Sequence, residues 1–230
     1  MDLSVKYDDF YHTDLKKESF KECSVKNWPA NRVEAIVAMG GTGDNILDIG
    51  CGNGYLLYQF RKSFQNLYGL EFSQQRLKQA EINLSEYVFK PLPGSAENIE
   101  ALDDNCIDQI ISADTIEHIP DVYAAISEMH RVLKPGGRLL INTPNVAFIK
   151  KRFQLLLGRF PSTSQSNEGI GSDILFDGGH LHYFTFRSLR ILLERQGFKD
   201  LQAVGYGPLG KLHNTWPQLL SGGVQWIAYK

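Results

Sequence analysis

The chain has 230 residues, 43% hydrophobic and 22% charged, which is enough apolar material for a folded core and too much for a disordered polar chain. Its 24 Lys and Arg against 26 Asp and Glu give a net charge of −2, which argues against a dedicated nucleic-acid binder. Three cysteines (Cys23, Cys51, Cys106) without a C-x-x-C pair fit a reducing, cytoplasmic setting, and neither a membrane-spanning apolar run nor a secretory leader is evident.

Residues 1–40 read as an N-terminal helical or lid segment, with aromatics at Tyr7, Phe10, Tyr11 and Trp28 and a short helix over 31–39 that stops at Gly40-Gly41. Strand and helix then alternate. NILDI (45–49) reads as a buried strand, and 55–64 as a helix with Leu56, Leu57, Phe60 and Phe64 on one side. NLYGLEF (66–72) is the second strand, followed by a helix capped by Ser73. Strands follow at 87–90 and 108–112, then a helix capped by Asp121 that ends at KPGG (134–137), and a strand at 138–143. Residues 145–183 form an insertion, with an amphipathic helix over 148–159 placing Ile149, Phe153, Leu156 and Leu157 together. A helix capped by Thr185 ends at Gly197, and two strands fit 201–206 and 224–229. Only a loop, 207–223, joins that last pair, so they are expected to be antiparallel. The alternation predicts one α/β domain over 1–230, a doubly wound sheet covered on both faces by helices.

The sharpest signal is ILDIGCGNGYLL (46–57), an apolar strand ending in Asp48 before Gly50, Gly52 and Gly54 open a helix. In such sheets ligands sit outside the carboxyl ends of the strands, and glycines let a ligand approach the backbone. Glu71, at the end of the second strand, can accept both hydroxyls of a ribose. A dinucleotide loop reads G-x-G-x-x-G. Here the spacing is G-x-G-x-G, no basic residue follows, and Asp48 suits an amino group or a sulfonium better than a pyrophosphate. A nicotinamide-dependent dehydrogenase is disfavoured on both counts.

With GLEFS (69–73), SADTIEHIPD (112–121), HRVLKPGGRLL (130–140) and HLHYFTFRSLRILLERQGF (180–198), this loop resembles the class I S-adenosylmethionine-dependent methyltransferases. The likeness is to the small-molecule branch that includes the ubiquinone-biosynthesis O-methyltransferases, and covers about residues 30–206. It implies a Rossmann-like seven-stranded sheet of order 3-2-1-4-5-7-6 with the last strand antiparallel, and S-adenosyl-L-methionine as cofactor. It also implies that Asp48, Gly50 and Gly52 line the methionine moiety, and that Glu71 holds the ribose with Phe72 beside the adenine. Ser95, Ala96 and Glu97 fall at the adenine edge, where Ser95 replaces the usual aspartate. Ser112 and Ala113 would offer carbonyls to the cofactor ammonium, and Arg32 would pair with its carboxylate.

The expected function is methyl transfer to a small-molecule acceptor, most simply at oxygen. A non-catalytic cofactor-binding partner or regulator and an N- or C-methyltransferase of the same fold are the alternatives. A general base is needed only where the acceptor carries a high-pKa proton. Asp114 and His118 at i, i+4, and His180 and His182 at extended spacing, are the candidates. D-x-x-E-H could hold a divalent ion, but E-H-I-P reads more simply as a structural turn, so no metal is expected. The insertion 145–183 is a candidate acceptor lid. Its helix is expected to pack its apolar side on the domain. The basic side of 148–159 suits solvent, or a weak contact with an anionic membrane surface.

Overall fold

The computed structural model describes residues 14–164, 168–170 and 176–230; Tyr7, Phe10 and Tyr11 of the expected lid lie outside them. Asn31 accepts the Glu34 N–H to start α1 (Arg32–Met39), and β1 (Gly43–Ile49) follows. Next come α2 (Tyr55–Phe60), β2 (Phe64–Glu71), α3 (Gln74–Asn83) and β3 (Phe89–Pro93). Then follow β4 (Ile107–Ala113), α4 (Val122–Val132) and β5 (Leu133–Pro144). The insertion carries α5 (Ile149–Leu156), after which come α6 (Phe186–Arg195) and β6 (Lys199–Ala203). Two four-residue helices, α7 (Leu212–Thr215) and α8 (Pro217–Leu220), precede β7 (Gly223–Tyr229). Ser73, Asp121 and Thr185 cap α3, α4 and α6 as expected.

The sheet runs β3-β2-β1-β4-β5-β7-β6, with β7 antiparallel to both neighbours and the other pairs parallel. Strand alternation divides the core in two. Leu47, Ile110, Leu139, Ile141 and Trp226 face the helices α4 and α6 through Ile126, Met129, Leu189 and Leu193. Ile46, Ile111, Leu140 and Ile227 face Ile36, Leu57, Leu77 and Ala80 on α1 to α3. Each such large side chain contributes about 1.5–3 kcal/mol on burial. Among the described residues no helix is long and apolar enough to cross a membrane.

Four local expectations are corrected. Phe64 is not the end of a helix: the chain turns after Phe60, and Phe64 opens β2, with the two rings edge-to-face at 6.1 Å. The third strand lies at 89–93 rather than 87–90. Pro91 and Pro93 fit there because β3 is an edge strand, where a missing N–H costs no ladder bond. The sixth strand starts two residues earlier and ends three earlier than expected. Residues 207–223 hold α7 and α8, too short to return the chain, so the antiparallel pairing stands.

Gly54 caps α2 in the left-handed region (φ 83°), and a Cβ there would meet Leu84 Cδ1 at 2.8 Å. Gly54→Ala is expected to cost about 1–3 kcal/mol in urea unfolding; an unchanged midpoint would contradict this.

Candidate active site

The parallel register brings the ends of β1, β2 and β4 to one edge, where a cavity of about 610 Å³ opens. The glycine loop forms its floor. The N–H groups of Gly50 and Cys51 donate to Leu70 O at 2.8 and 3.1 Å, folding the loop back over β2. Gly50 has φ 74°, and a Cβ on it would lie 2.4 Å from Thr115 Oγ1, so only glycine fits. Glu71 is buried and ties the loop down: Oε2 accepts the Gly52 N–H at 2.9 Å and Oε1 the Ser73 N–H at 3.0 Å. Its remaining lone pairs are left for a ligand's hydroxyls.

Asp48 is buried at the cavity floor. Burial, reinforced by the charge of Glu71, pushes its carboxyl up to about 8; the fields of Arg32 and Arg76 offset only part of this. A cation brought beside Asp48 would favour the ionised form. Across the cavity, Phe72, Ser95, Ala96 and Glu97 form the far wall. The Ser95 hydroxyl is already engaged, donating to Glu97 Oε2 at 2.8 Å and accepting the Glu97 N–H at 3.3 Å. The Ala96 N–H has no partner among the described residues, which makes it the better-placed donor for a ring nitrogen.

Arg32 and Asp114 both line the cavity and form an ion pair with each other. His118 lines it too. Its Nδ1 lies 3.1 Å from Gly179 O; a carbonyl only accepts, so Nδ1 carries the proton and Nε2 keeps its lone pair. Burial, with His180 close by, lowers its pKa to about 4, so the ring is neutral at neutral pH.

Behind His118 the insertion closes on the site. The N–H groups of Leu181 and His182 donate to Glu117 O at 2.8 and 3.1 Å, and the His118 and His180 rings meet edge-to-face at 4.7 Å. His180 Nδ1 lies 2.7 Å from Thr163 Oγ1. The buried Asp177 gathers this segment, accepting from Thr163, Ser164 and Tyr183 at 3.2, 2.7 and 3.0 Å. Glu117 is buried. Its Oε2 accepts the Thr143 hydroxyl at 2.9 Å, while Oε1 has no hydrogen-bond partner among the described residues, and burial pushes the pKa up to about 7. Glu117, His118 and His180 each offer one ligand atom within 4.8 Å of the others. A carboxylate oxygen with two imidazoles can hold a divalent ion. A proton on Oε1 would remove the buried charge without one.

Several sequence expectations change here. Gly52 does not face the cavity: a Cβ on it would sit 2.3 Å from Arg76 Nη2, so its contribution is the N–H given to Glu71. Ser112 is fully buried within the sheet between Ile49 and Ile141 and lines nothing; Ala113 alone reaches the cavity. His180 and His182 do not point together into the site. His180 backs His118, and His182 Nε2 turns to Pro120 O at 3.2 Å. Described N-terminal residues run along α2 and α3, where the Lys16, Glu18 and Cys23 N–H groups reach Gln79, Asn83 and Gln59. Sequence reasoning missed Arg76, Asn53, Tyr55 and Thr115 on the cavity wall. Arg76 could have been found from its place in the first turn of the helix that follows the strand ending in Glu71.

Residues 47–141 match the family described as a methyltransferase domain. A ubiquinone biosynthesis O-methyltransferase from Aromatoleum aromaticum is 29% identical over 119 residues, 51% of this chain and 51% of that protein. A biotin biosynthesis bifunctional protein from Saccharophagus degradans is 32% identical over 104 residues, 44% of this chain and 18% of that one. The chain thus spans about half or less of the length of these curated relatives. The solved S-adenosylmethionine-dependent methyltransferase from Mesorhizobium loti superposes with a TM-score of 0.63 at 14% identity, covering 86% of this chain and 98% of that one. Phosphoethanolamine N-methyltransferase 2 from Haemonchus contortus, in complex with S-adenosyl-L-methionine, gives 0.60 at 18% identity over 83% and 49%. These structural likenesses speak to the fold.

Proposed function

We propose that this chain, whose residues 47–141 match a methyltransferase domain, is an S-adenosylmethionine-dependent enzyme of the class I kind that transfers the cofactor's methyl group to a small-molecule acceptor, with oxygen as the acceptor atom. The observation that carries the reading is the buried Asp48 beside Glu71, at the ends of adjacent parallel strands under a glycine loop with positive φ at Gly50, Gly52 and Gly54. An acidic floor favours a ligand that carries both cationic groups and ribose hydroxyls, and disfavours a pyrophosphate. The oxygen preference rests on the ubiquinone-type relatives and on a neutral imidazole facing the cavity. A cytoplasmic setting agrees with the three free cysteines.

When bound, the cofactor supplies an electrophilic methyl on a sulfonium, whose charge is lost in the displacement. Glu71 would hold the ribose hydroxyls, and the Ala96 N–H with Phe72 the adenine. Asp48 and the Ala113 carbonyl, both on the cavity wall, would face the cationic groups. Arg32, steadied by Asp114, has further N–H groups for the cofactor carboxylate. His118, with Nδ1–H fixed on Gly179 O, presents Nε2 to take the acceptor's hydroxyl proton. The closed insertion helps exclude water, which sharpens a reaction in which charge disappears.

Calorimetry with S-adenosylmethionine and with NAD, then turnover with a panel of hydroxylated acceptors, tests the reading. Binding of NAD alone overturns the cofactor class. Cofactor binding with no acceptor methylated favours the regulator alternative. His118→Ala is expected to lower kcat about 10²–10⁴-fold with little change in cofactor Kd, and an unaltered kcat would remove the base assignment. Turnover is expected to survive a chelator, because a proton suffices at Glu117. Loss that is restored by a divalent ion would assign the Glu117, His118 and His180 cluster to a metal instead.

A further inference from the structure

Helix α5 is built inside out. At 100° per residue, Ile149, Phe153, Leu156 and Leu157 share one arc of roughly 100°, with Lys150 and Arg152 on its two flanks. In a helix packed on its own domain that arc faces the core, and this was the expectation from the sequence. The structure reverses it. No residue of α5 is buried, and Phe153, Leu156 and Leu157 are 58%, 78% and 75% exposed. The side turned to the protein is the polar one: Lys151 Nζ donates to Ser162 O, and Gln154 Oε1 is buried. Further along the insertion, Ile170 and Phe176 are also exposed.

We infer that the outer face of α5 is a docking surface for an anionic lipid bilayer, with the helix lying in the plane of the interface. Charge selects this occupant. Residues 146–160 contain four basic residues and no carboxylate; Lys151 turns inward to Ser162 O and Arg159 pairs with Glu168, which leaves Lys150 and Arg152 as the outward charges. Lys150 and Arg152 flank the apolar arc, so their stems can lie along the hydrocarbon boundary while their charges reach phosphate headgroups. A second copy of the chain fits less well. A two-fold contact through this face would bring Lys150 and Arg152 of both copies together with no acidic residue of the helix to offset them. The placement has a use, because α5 follows β5 at the carboxyl edge of the sheet, the same edge on which the cavity opens.

Vesicle flotation tests this with the whole chain, using phosphatidylcholine vesicles with and without phosphatidylglycerol. Binding is expected to the anionic vesicles and to be at least about tenfold weaker to the neutral ones or at high salt. Leu156→Ser with Leu157→Ser should weaken it about tenfold or more, and so should Lys150→Glu with Arg152→Glu. Both variants should keep the wild-type melting temperature and cofactor affinity, since these side chains are solvent-exposed and α5 lines no part of the cavity. No binding to anionic vesicles overturns the inference, as does binding that neither variant weakens. A dimer in sedimentation velocity that the leucine variant dissolves, without vesicle binding, assigns the face to a second copy instead.

Discussion

Glu71→Ala is expected to weaken S-adenosylmethionine binding at least about 100-fold, equivalent to roughly 2.7 kcal/mol. Two losses combine. The substitution removes the acceptor for the ribose hydroxyls, and it releases the Gly52 and Ser73 N–H groups that the carboxylate now holds at 2.9 and 3.0 Å. The glycine loop is thereby freed at the point where α3 begins. Glu71→Gln separates the two: a single amide oxygen keeps part of the tether and loses the charge, so an intermediate affinity is expected. Calorimetric titration reads both variants, and an unchanged Kd for Glu71→Ala would refute the ribose assignment.

Asp48→Asn should give opposite effects on binding and on stability. With its pKa pushed up to about 8, Asp48 is mostly protonated in the empty protein at neutral pH. A bound cation favours the ionised carboxylate, so cofactor affinity should strengthen as pH rises from 6 to 8 and level off above 8. Binding at pH 7 should release a proton, visible as a binding enthalpy that depends on the buffer. Asp48→Asn should bind more weakly and lose that pH dependence. Stability runs the other way. Between 3.8 and 8 the folded protein holds a proton on Asp48 that the unfolded chain has lost, so this residue makes folding less favourable as pH rises through that window. Asparagine removes the effect and is expected to stabilise the empty protein by on the order of 2 kcal/mol at pH 8. A variant that is no more stable at pH 8, or that keeps the pH dependence of binding, would contradict the placement of this carboxyl.

The glycine loop, Asp48 and Glu71 were legible because they are consecutive or nearly so, and because each residue type has a physical reason for its place. The strands and caps were legible from periodicity and from Ser73, Asp121 and Thr185. The meeting of Glu117 and His118 with His180 was not, since the partners are far apart in sequence and joined by an insertion with no strong local signal. Arg76 is hidden in the same way, being an ordinary polar position on a helix until the fold lays it over Gly52. For α5 the periodicity named the apolar stripe correctly but carried no information about which side the protein would cover. Phe64 was misplaced because it packs with Phe60 whether it ends a helix or opens a strand.

The position of β7 between β5 and β6 has a consequence for the order in which the molecule can be made. β6 is synthesised before the strand that attaches it to the sheet. While residues 223–229 are still to emerge from the ribosome, β5 presents an open edge and β6 has no neighbour to pair with. Until then α6, through Leu189 and Leu193, packs that region against the earlier strands, and Trp28 Nε1 and the Gly207 N–H tie the residues after β6 to the N-terminal segment at Gly205 O and Pro29 O. One strand then closes both edges in a single event. A stall in translation between β6 and β7 would leave the nascent chain with an unpaired edge beside an exposed apolar face, the form most prone to cross-pair with its neighbours on a polysome.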